Sequence, residues 1–180
     1  FAFGAPWANP SYGTNRSRAD GGVVVVFWGH SSTVSHQPWP SVSSLPNISL
    51  GLIIFGDVVD QKMGLWLSGG CDLNNDLIDD LLIGCSSGTT ANAAVYVVFG
   101  RRISGWSSPT LTVSKLDGTI GFTIVPVSDD EWTHMFGSKV KCVGDYNGDG
   151  FNDILLSDQA IISDQGAAVL LFGRGASWPA

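Results

Sequence analysis

Oxygen-bearing side chains recur at alternate positions in two short runs of this sequence. Asp72, Asn74, Asp76 and Asp80 stand at positions 1, 3, 5 and 9 of one run, and Asp145, Asn147, Asp149 and Asp153 stand at the same positions of the other. Each set brings three carboxylates close together, where they repel one another unless a cation intervenes. Calcium takes about six to eight hard oxygens, and alternate residues of a tightly wound loop can turn that many inward. Position 7, Ile78 or Phe151, would add its backbone carbonyl. A lone cluster of this type is also an ordinary solvated turn, because Asp and Asn readily form Asx-turns. Two clusters in register, each followed by an apolar strand, point instead to two calcium sites.

The flanking residues separate these loops from an EF-hand, in which a helix and a bidentate Glu follow the ninth position. Here Leu81-Leu82-Ile83 or Ile154-Leu155-Leu156 follows, and both runs read as strands. Gly148 and Gly150 supply the left-handed backbone that such a turn needs, whereas the first loop has Asn75 and Leu77 in those places. Asn tolerates that geometry and Leu does so poorly, so the first loop is expected to be the more strained or the weaker.

The elements that carry the loops repeat with them. Asp72 recurs as Asp145 at an offset of 73 residues, and the same offset carries Gly64 to Gly137 and Phe99-Gly100 to Phe172-Gly173. Further upstream, Gly51-Leu52-Ile53-Ile54 matches Gly121-Phe122-Thr123-Ile124 at an offset of 70. A third, truncated copy opens the chain: Phe1 to Pro6 stands where Leu81 to Ser86 stands, and Val23 to Gly29 where Ala94 to Gly100 stands. Self-similarity over whole units defines a repeat architecture.

Within a unit the apolar runs are short, rich in Val, Ile, Leu, Phe and Trp, and bounded by Gly, Asn, Asp, Ser and Pro, which is strand chemistry. The expected strands are Leu65 to Leu67, Leu81 to Ile83, Ala94 to Phe99 and Thr110 to Ser114 in the middle unit. In the last unit they are Lys139 to Val143, Ile154 to Ser157 and Ala167 to Phe172. Four-stranded antiparallel units at this spacing predict an all-β fold of β-propeller blades, whose two covered faces account for unalternating runs such as Val23 to Val26. A solenoid is the alternative. The units are drawn as a truncated blade over 1–50, a complete blade with a loop over 51–120, and a blade lacking its last strand over 121–180.

Composition narrows the partners. A formal charge of −7 with only nine Lys and Arg argues against a nucleic-acid backbone and favours cations. The longest apolar run, Val23 to Trp28, has the length of a strand and not of a membrane span, so no direct membrane insertion is expected. Cys71, Cys85 and Cys142 cannot all pair within one chain and show no CxxC spacing, which argues against zinc and leaves their redox state open. Asn47-Ile48-Ser49 is a glycosylation sequon. His30, His36 and His134 lie in no nucleophile motif, so no enzyme is expected. Asp129-Asp130-Glu131 reads as a solvated loop, and most of the seven Trp as packing between blades, with Trp39 and Trp132 as candidates for stacking on a sugar. The chain begins at Phe1 in mid-repeat and reads as a fragment.

Phe-Gly at a blade's end, Gly4-Ala5-Pro6 after a second strand, and Asp145-Tyr146-Asn147-Gly148-Asp149-Gly150-Phe151-Asn152-Asp153 between the first and second strands together resemble the FG-GAP repeat of integrin α propellers and related surface proteins. The resemblance covers essentially the whole chain. It implies calcium in the loop joining the first two strands of a blade, extracellular or cell-surface placement, and a protein ligand or neighbouring subunits as partners. A carbohydrate-binding propeller, or a non-catalytic propeller attached to an enzyme, is the alternative. The middle and last units depart from the pattern with Gly84-Cys85-Ser86 and Ser157-Asp158-Gln159 in place of Gly-Ala-Pro.

Overall fold

The computed structural model describes residues 2–8, 20–29, 49–85, 93–126, 136–158, 166–174 and 178. Their regular structure is strand, apart from 3-10 turns at Ile103–Gly105 and Val113–Lys115. The strands are β1 (Ala2–Ala5), β2 (Val23–Phe27), β3 (Gly51–Phe55), β4 (Trp66–Cys71), β5 (Asp80–Gly84), β6 (Val95–Val98), β7 (Thr110–Thr112), β8 (Gly121–Ile124), β9 (Lys139–Gly144), β10 (Asp153–Asp158) and β11 (Ala167–Leu171). They form three sheets, ordered β1-β2-β3-β7, β4-β5-β6-β8 and β11-β10-β9. Every neighbouring pair is antiparallel except β3 and β7. The second sheet is four-stranded and antiparallel throughout, the form of a propeller blade, with β7 leaving to the first sheet between its third and fourth strands.

That sheet is covered on both faces, which explains the absence of polar alternation in its strands. In β5, Leu82 joins one apolar cluster and Ile83 the other; in β6, Val95 and Val97 face the first cluster while Tyr96 and Val98 face the second. The first cluster continues into Val140, Cys142, Ile154 and Leu156 of the third sheet, and the second into Val24, Leu52 and Ile54 of the first. Most of the apolar core lies in the two seams between three stacked sheets, and a smaller cluster of Val25 and Phe27 with Val23, Leu50 and Ile53 lies within the first sheet.

Glycine backbone sets how closely the sheets approach. A Cβ at Gly4 would strike the carbonyl oxygen of Gly64 in the next unit, and one at Gly84 would strike the carbonyl oxygen of Gly137 in the unit after that. Gly64 N–H in turn donates to the Gly84 carbonyl at 3.1 Å. The first residue of Gly4-Ala5-Pro6 thus marks a backbone-to-backbone contact between neighbouring units.

One strand lies elsewhere than expected. Thr110 to Ser114 does not close the middle unit: Thr110–Thr112 runs parallel to β3 and extends the first sheet, while residues 113–115 form a 3-10 turn. The fourth strand of the middle sheet is instead Gly121–Ile124, paired with β6. The cause lies in the aromatic residues after β6. Trp106 stacks on Trp28 of the first sheet at 6.3 Å, and the Arg101 guanidinium sits 5.0 Å over the Trp106 ring. The segment is thereby drawn back over the preceding sheet, where it fills the open hydrogen-bonding edge of β3. By the same topology Gly51–Phe55 pairs with β2 and belongs to the first sheet, while the middle sheet draws its strands from 66–124.

Candidate functional site

The two acidic runs form the hairpin turns joining β4 to β5 and β9 to β10, and the pleat delivers each run's last residue to the start of the second strand. Their hydrogen bonds correspond almost atom for atom. Asp72 Oδ1 accepts from Asp76 N–H at 2.9 Å and Oδ2 from Leu77 N–H at 2.7 Å. Asp145 Oδ1 accepts from Asp149 N–H at 3.0 Å and Oδ2 from Gly150 N–H at 2.8 Å. Asn74 and Asn147 accept from the amide two residues on and donate through Nδ2 to Asp76 and Asp149. Asp76 and Asp149 in turn accept from the amides of Ile78 and Phe151, each at 2.9 Å. Two different sequences folding to one hydrogen-bond pattern show that the side-chain oxygens, and not the intervening residues, dictate the turn.

The ninth residues behave differently from the rest. Asp80 and Asp153 are buried, while Asn74, Asp76, Asn147 and Asp149 are exposed. Asp80 Oδ2 accepts from Leu73 N–H and Oδ1 from Gly100 N–H, both at 2.7 Å. Asp153 Oδ2 accepts from Tyr146 N–H at 2.8 Å and Oδ1 from Gly173 N–H at 2.7 Å. Burial pushes the Asp80 carboxyl up to about 7; the amides of Leu73 and Gly100 oppose the shift, and the nearby anions Asp76 and Asp72 add to it. A negative charge there is unfavourable in the protein alone.

Gly100 and Gly173, the glycines of the two Phe-Gly pairs, were not read from the sequence as part of the site, although their offset matched that of the loops. Each donates its amide to the buried ninth carboxylate, and each lies so close to the turn that a Cβ would strike a backbone carbonyl, that of Asp79 or of Asn152. The Phe-Gly end of the third strand therefore clamps the root of the loop.

The backbone of the first loop carries the strain expected of it. Asn75 has φ 60° and Leu77 φ 68°, where the second loop places Gly148 at 77° and Gly150 at 92°. Leu77 is 91% exposed, so its side chain gains nothing in packing to offset the conformation. Replacing Leu77 with Gly should stabilise the chain by about 0.5–1 kcal/mol, since removal of the left-handed penalty exceeds the extra entropy of glycine in the unfolded state. Urea unfolding of the variant beside the parent checks this, and a lower midpoint would refute it.

Two sulfurs bind the loops' roots together. Cys71, the residue before the first loop, and Cys142, in β9, form a disulfide with Cα atoms 5.7 Å apart; Cys85 is free and buried. The pair joins β4 and β9, the first strands of adjacent sheets. It falls at a separation of 71, outside the 73-residue register, so the repeat does not reveal it.

The donor set of each loop suits calcium by charge and type: three carboxylates, one amide oxygen and a carbonyl, with a lone pair left on oxygens that already accept one amide. The residues meet through backbone amides, and among the described residues no three acidic, His or Cys side chains converge as a closed ligand set. Asn47, His30, His36, His134, Trp39, Trp132 and Asp129-Asp130-Glu131 lie outside the described residues.

Sheets stacked face to face in this way, with an acidic hairpin between the first two strands, have the form of β-propeller blades. No family model matches the chain. It is similar to integrin alpha pat-2 of Caenorhabditis elegans, 29% identical over 133 residues, and to integrin alpha pat-2 of Caenorhabditis briggsae, 28% identical over 133 residues. Each match covers 68% of this chain and 10% of the relative, so the chain spans about a tenth of the length of these proteins.

Proposed function

We propose that the chain is part of an extracellular adhesion module in which calcium, held by the two hairpin loops, stiffens propeller blades that present a surface to a protein partner. The observation that carries the calcium reading is the buried ninth carboxylate. Asp80 and Asp153 are each buried at the root of an acidic turn and held there by two amide donors, and burial, with the nearby Asp76 and Asp72, pushes the Asp80 carboxyl up. Asp72, Asn74, Asp76 and Asp80, with the Ile78 carbonyl, would hold one ion; Asp145, Asn147, Asp149 and Asp153, with the Phe151 carbonyl, would hold the other. The ion supplies charge that cancels the repulsion among each loop's carboxylates. The chain supplies the rest: amides of the turn orient the carboxylates, and Gly100 and Gly173 fix the ninth one against the third strand.

Extracellular placement is supported by the similarity to integrin α and by the Cys71–Cys142 bond, since disulfides persist in oxidising compartments. None of the helical segments among the described residues is long and apolar enough to cross a membrane. The partner, by the same similarity, is a protein ligand or a neighbouring subunit.

Calorimetric titration of the metal-free chain with calcium chloride tests the reading. Two equivalents should bind, and Asp76→Ala or Asp149→Ala, at exposed positions that spare the core, should each remove one. Absence of binding heat at about millimolar calcium would sink the proposal.

The pH dependence follows from Asp80. Its folded value lies above the ordinary range near 4, so without a divalent ion this group's contribution to stability is greatest at low pH and falls as pH rises from about 4 to about 7. Calcium needs the ionised form. The rise in melting temperature on adding calcium should therefore be larger at pH 7.5 than at pH 5.5, as differential scanning calorimetry can show; an equal rise at both would separate Asp80 from the ion.

A further inference from the structure

We infer that the two acidic loops form one coupled unit, in which calcium binding and the Cys71–Cys142 disulfide strengthen each other. The inference rests on the calcium reading above, and it concerns the bonds that cross from one blade to the next. Four such ties meet at the first loop. The disulfide joins the residue before Asp72 to β9. Asn152 Nδ2, beside the buried Asp153 of the second loop, donates to the Asp72 carbonyl at 3.1 Å. Cys142 N–H donates to Ser68 Oγ at 3.1 Å, and Trp178 Nε1 donates to the Leu73 carbonyl at 2.8 Å while its ring stacks on Phe122 at 4.3 Å. The first position of one loop is thus held by the eighth position of the other, and both hang from strands joined through sulfur.

An ion in either loop would restrain the carboxylates that close its turn, and the shared ties would pass part of that restraint to the other loop. A second ion then binds to a loop already held in place, which is positive cooperativity. Linkage makes the effect reciprocal: whatever the disulfide adds to calcium affinity, calcium adds to the resistance of the disulfide to reduction. Reduction proceeds by thiol–disulfide exchange with an external dithiol. A thiolate of the dithiol attacks one protein sulfur and expels the other cysteine as thiolate. The dithiol's second sulfur then closes on the first, releasing the second cysteine, so the protein gains two electrons and two protons and the dithiol leaves as a cyclic disulfide. Both protein sulfurs are buried, so exchange requires β4 and β9 to separate at the loop roots.

The experiment uses the whole chain, calcium chloride and dithiothreitol. Calcium titrations compare the oxidised protein with Asn152→Ala, which keeps the disulfide, and with the Cys71→Ser/Cys142→Ser double variant. The extent of dithiothreitol reduction is measured with and without calcium by mass spectrometry after alkylation. Calcium should shift the dithiothreitol concentration for half reduction upward by about fivefold or more, and removing the disulfide should weaken calcium by the same factor. Asn152→Ala should lower the cooperativity of the two equivalents with both still bound. Equal reduction with and without calcium, in a protein that binds two ions, overturns the coupling and leaves the calcium reading standing. An oxidised protein that binds no calcium overturns both. Should the double variant fail to fold, the reduction arm and Asn152→Ala decide alone.

Discussion

Calcium chloride added to the metal-free chain at about 5 mM should raise its unfolding free energy by about 1–2 kcal/mol per loop, taking the dissociation constant as the roughly 10⁻⁴ to 10⁻³ M of extracellular modules. For a chain of this size the two loops together correspond to an increase in melting temperature of about 4–15 °C, reversed by EDTA. The size of the effect follows from where the charges lie. Without the ion, Asp80 must either ionise in a buried site beside Asp76 and Asp72 or take up a proton. With the ion, the same carboxylate keeps its two amide donors and loses the repulsion. Magnesium at the same concentration is the informative control, because it demands octahedral geometry and holds its water more tightly than a flexible oxygen loop accommodates. Coincident melting curves with calcium and with EDTA would remove the ion from the account.

Gly173→Ala should destabilise the chain by about 3 kcal/mol, and Gly100→Ala by a similar amount, whether or not calcium is present. The added methyl group would meet the Asn152 carbonyl and the Phe151 Cβ, or the Asp79 carbonyl and the Ile78 side chain. Overpacking of this type costs about 1–3 kcal/mol by itself. The strand cannot retreat to relieve it without stretching the Gly173 amide from Asp153, or the Gly100 amide from Asp80, and a buried carboxylate oxygen deprived of its donor adds about 1–3 kcal/mol. Chemical denaturation in calcium and in EDTA would show the same loss in both. A loss below about 0.5 kcal/mol would mean that the hairpin yields, and that the Phe-Gly pair is not a clamp.

Much of the architecture was legible from residue order because the repeat exposes it. The acidic runs, the apolar strands after them and the Phe-Gly pairs share one offset, and the structure places each of them at equivalent points of adjacent sheets. Unalternating runs such as Val23 to Val26 announced burial on both faces, and the residues of β2 divide between two apolar clusters accordingly, Val24 and Val26 in one and Val23, Val25 and Phe27 in the other. The expected strain of the first loop was likewise readable, since Asn75 and Leu77 stand where the second loop has glycine.

Other features had no local signal. Thr110 to Ser114 has the composition of a fourth strand, and nothing within it tells that Trp106 stacks on Trp28 and carries the segment to the edge of β3. Strand propensity reports that a segment is extended, but the edge that accepts it is a matter of which hydrogen-bonding groups lie open nearby in space. The Gly51 and Gly121 segments matched each other correctly, yet their match is silent on whether they begin a sheet or complete one.

Local chemistry in this chain, meaning which residues turn, which extend and which carry negative charge, is written in residue type and spacing, because Asx hydrogen bonds, β-branched side chains and glycine act over a few neighbours. Contacts between blades are not so written. The Cys71–Cys142 bond, the Asn152 hold on Asp72 and the close approach of Gly84 to Gly137 join residues 71, 80 and 53 positions apart. Their partners are chosen by how the sheets stack, and stacking is decided by the summed burial of two apolar faces, a quantity that no single stretch of sequence contains.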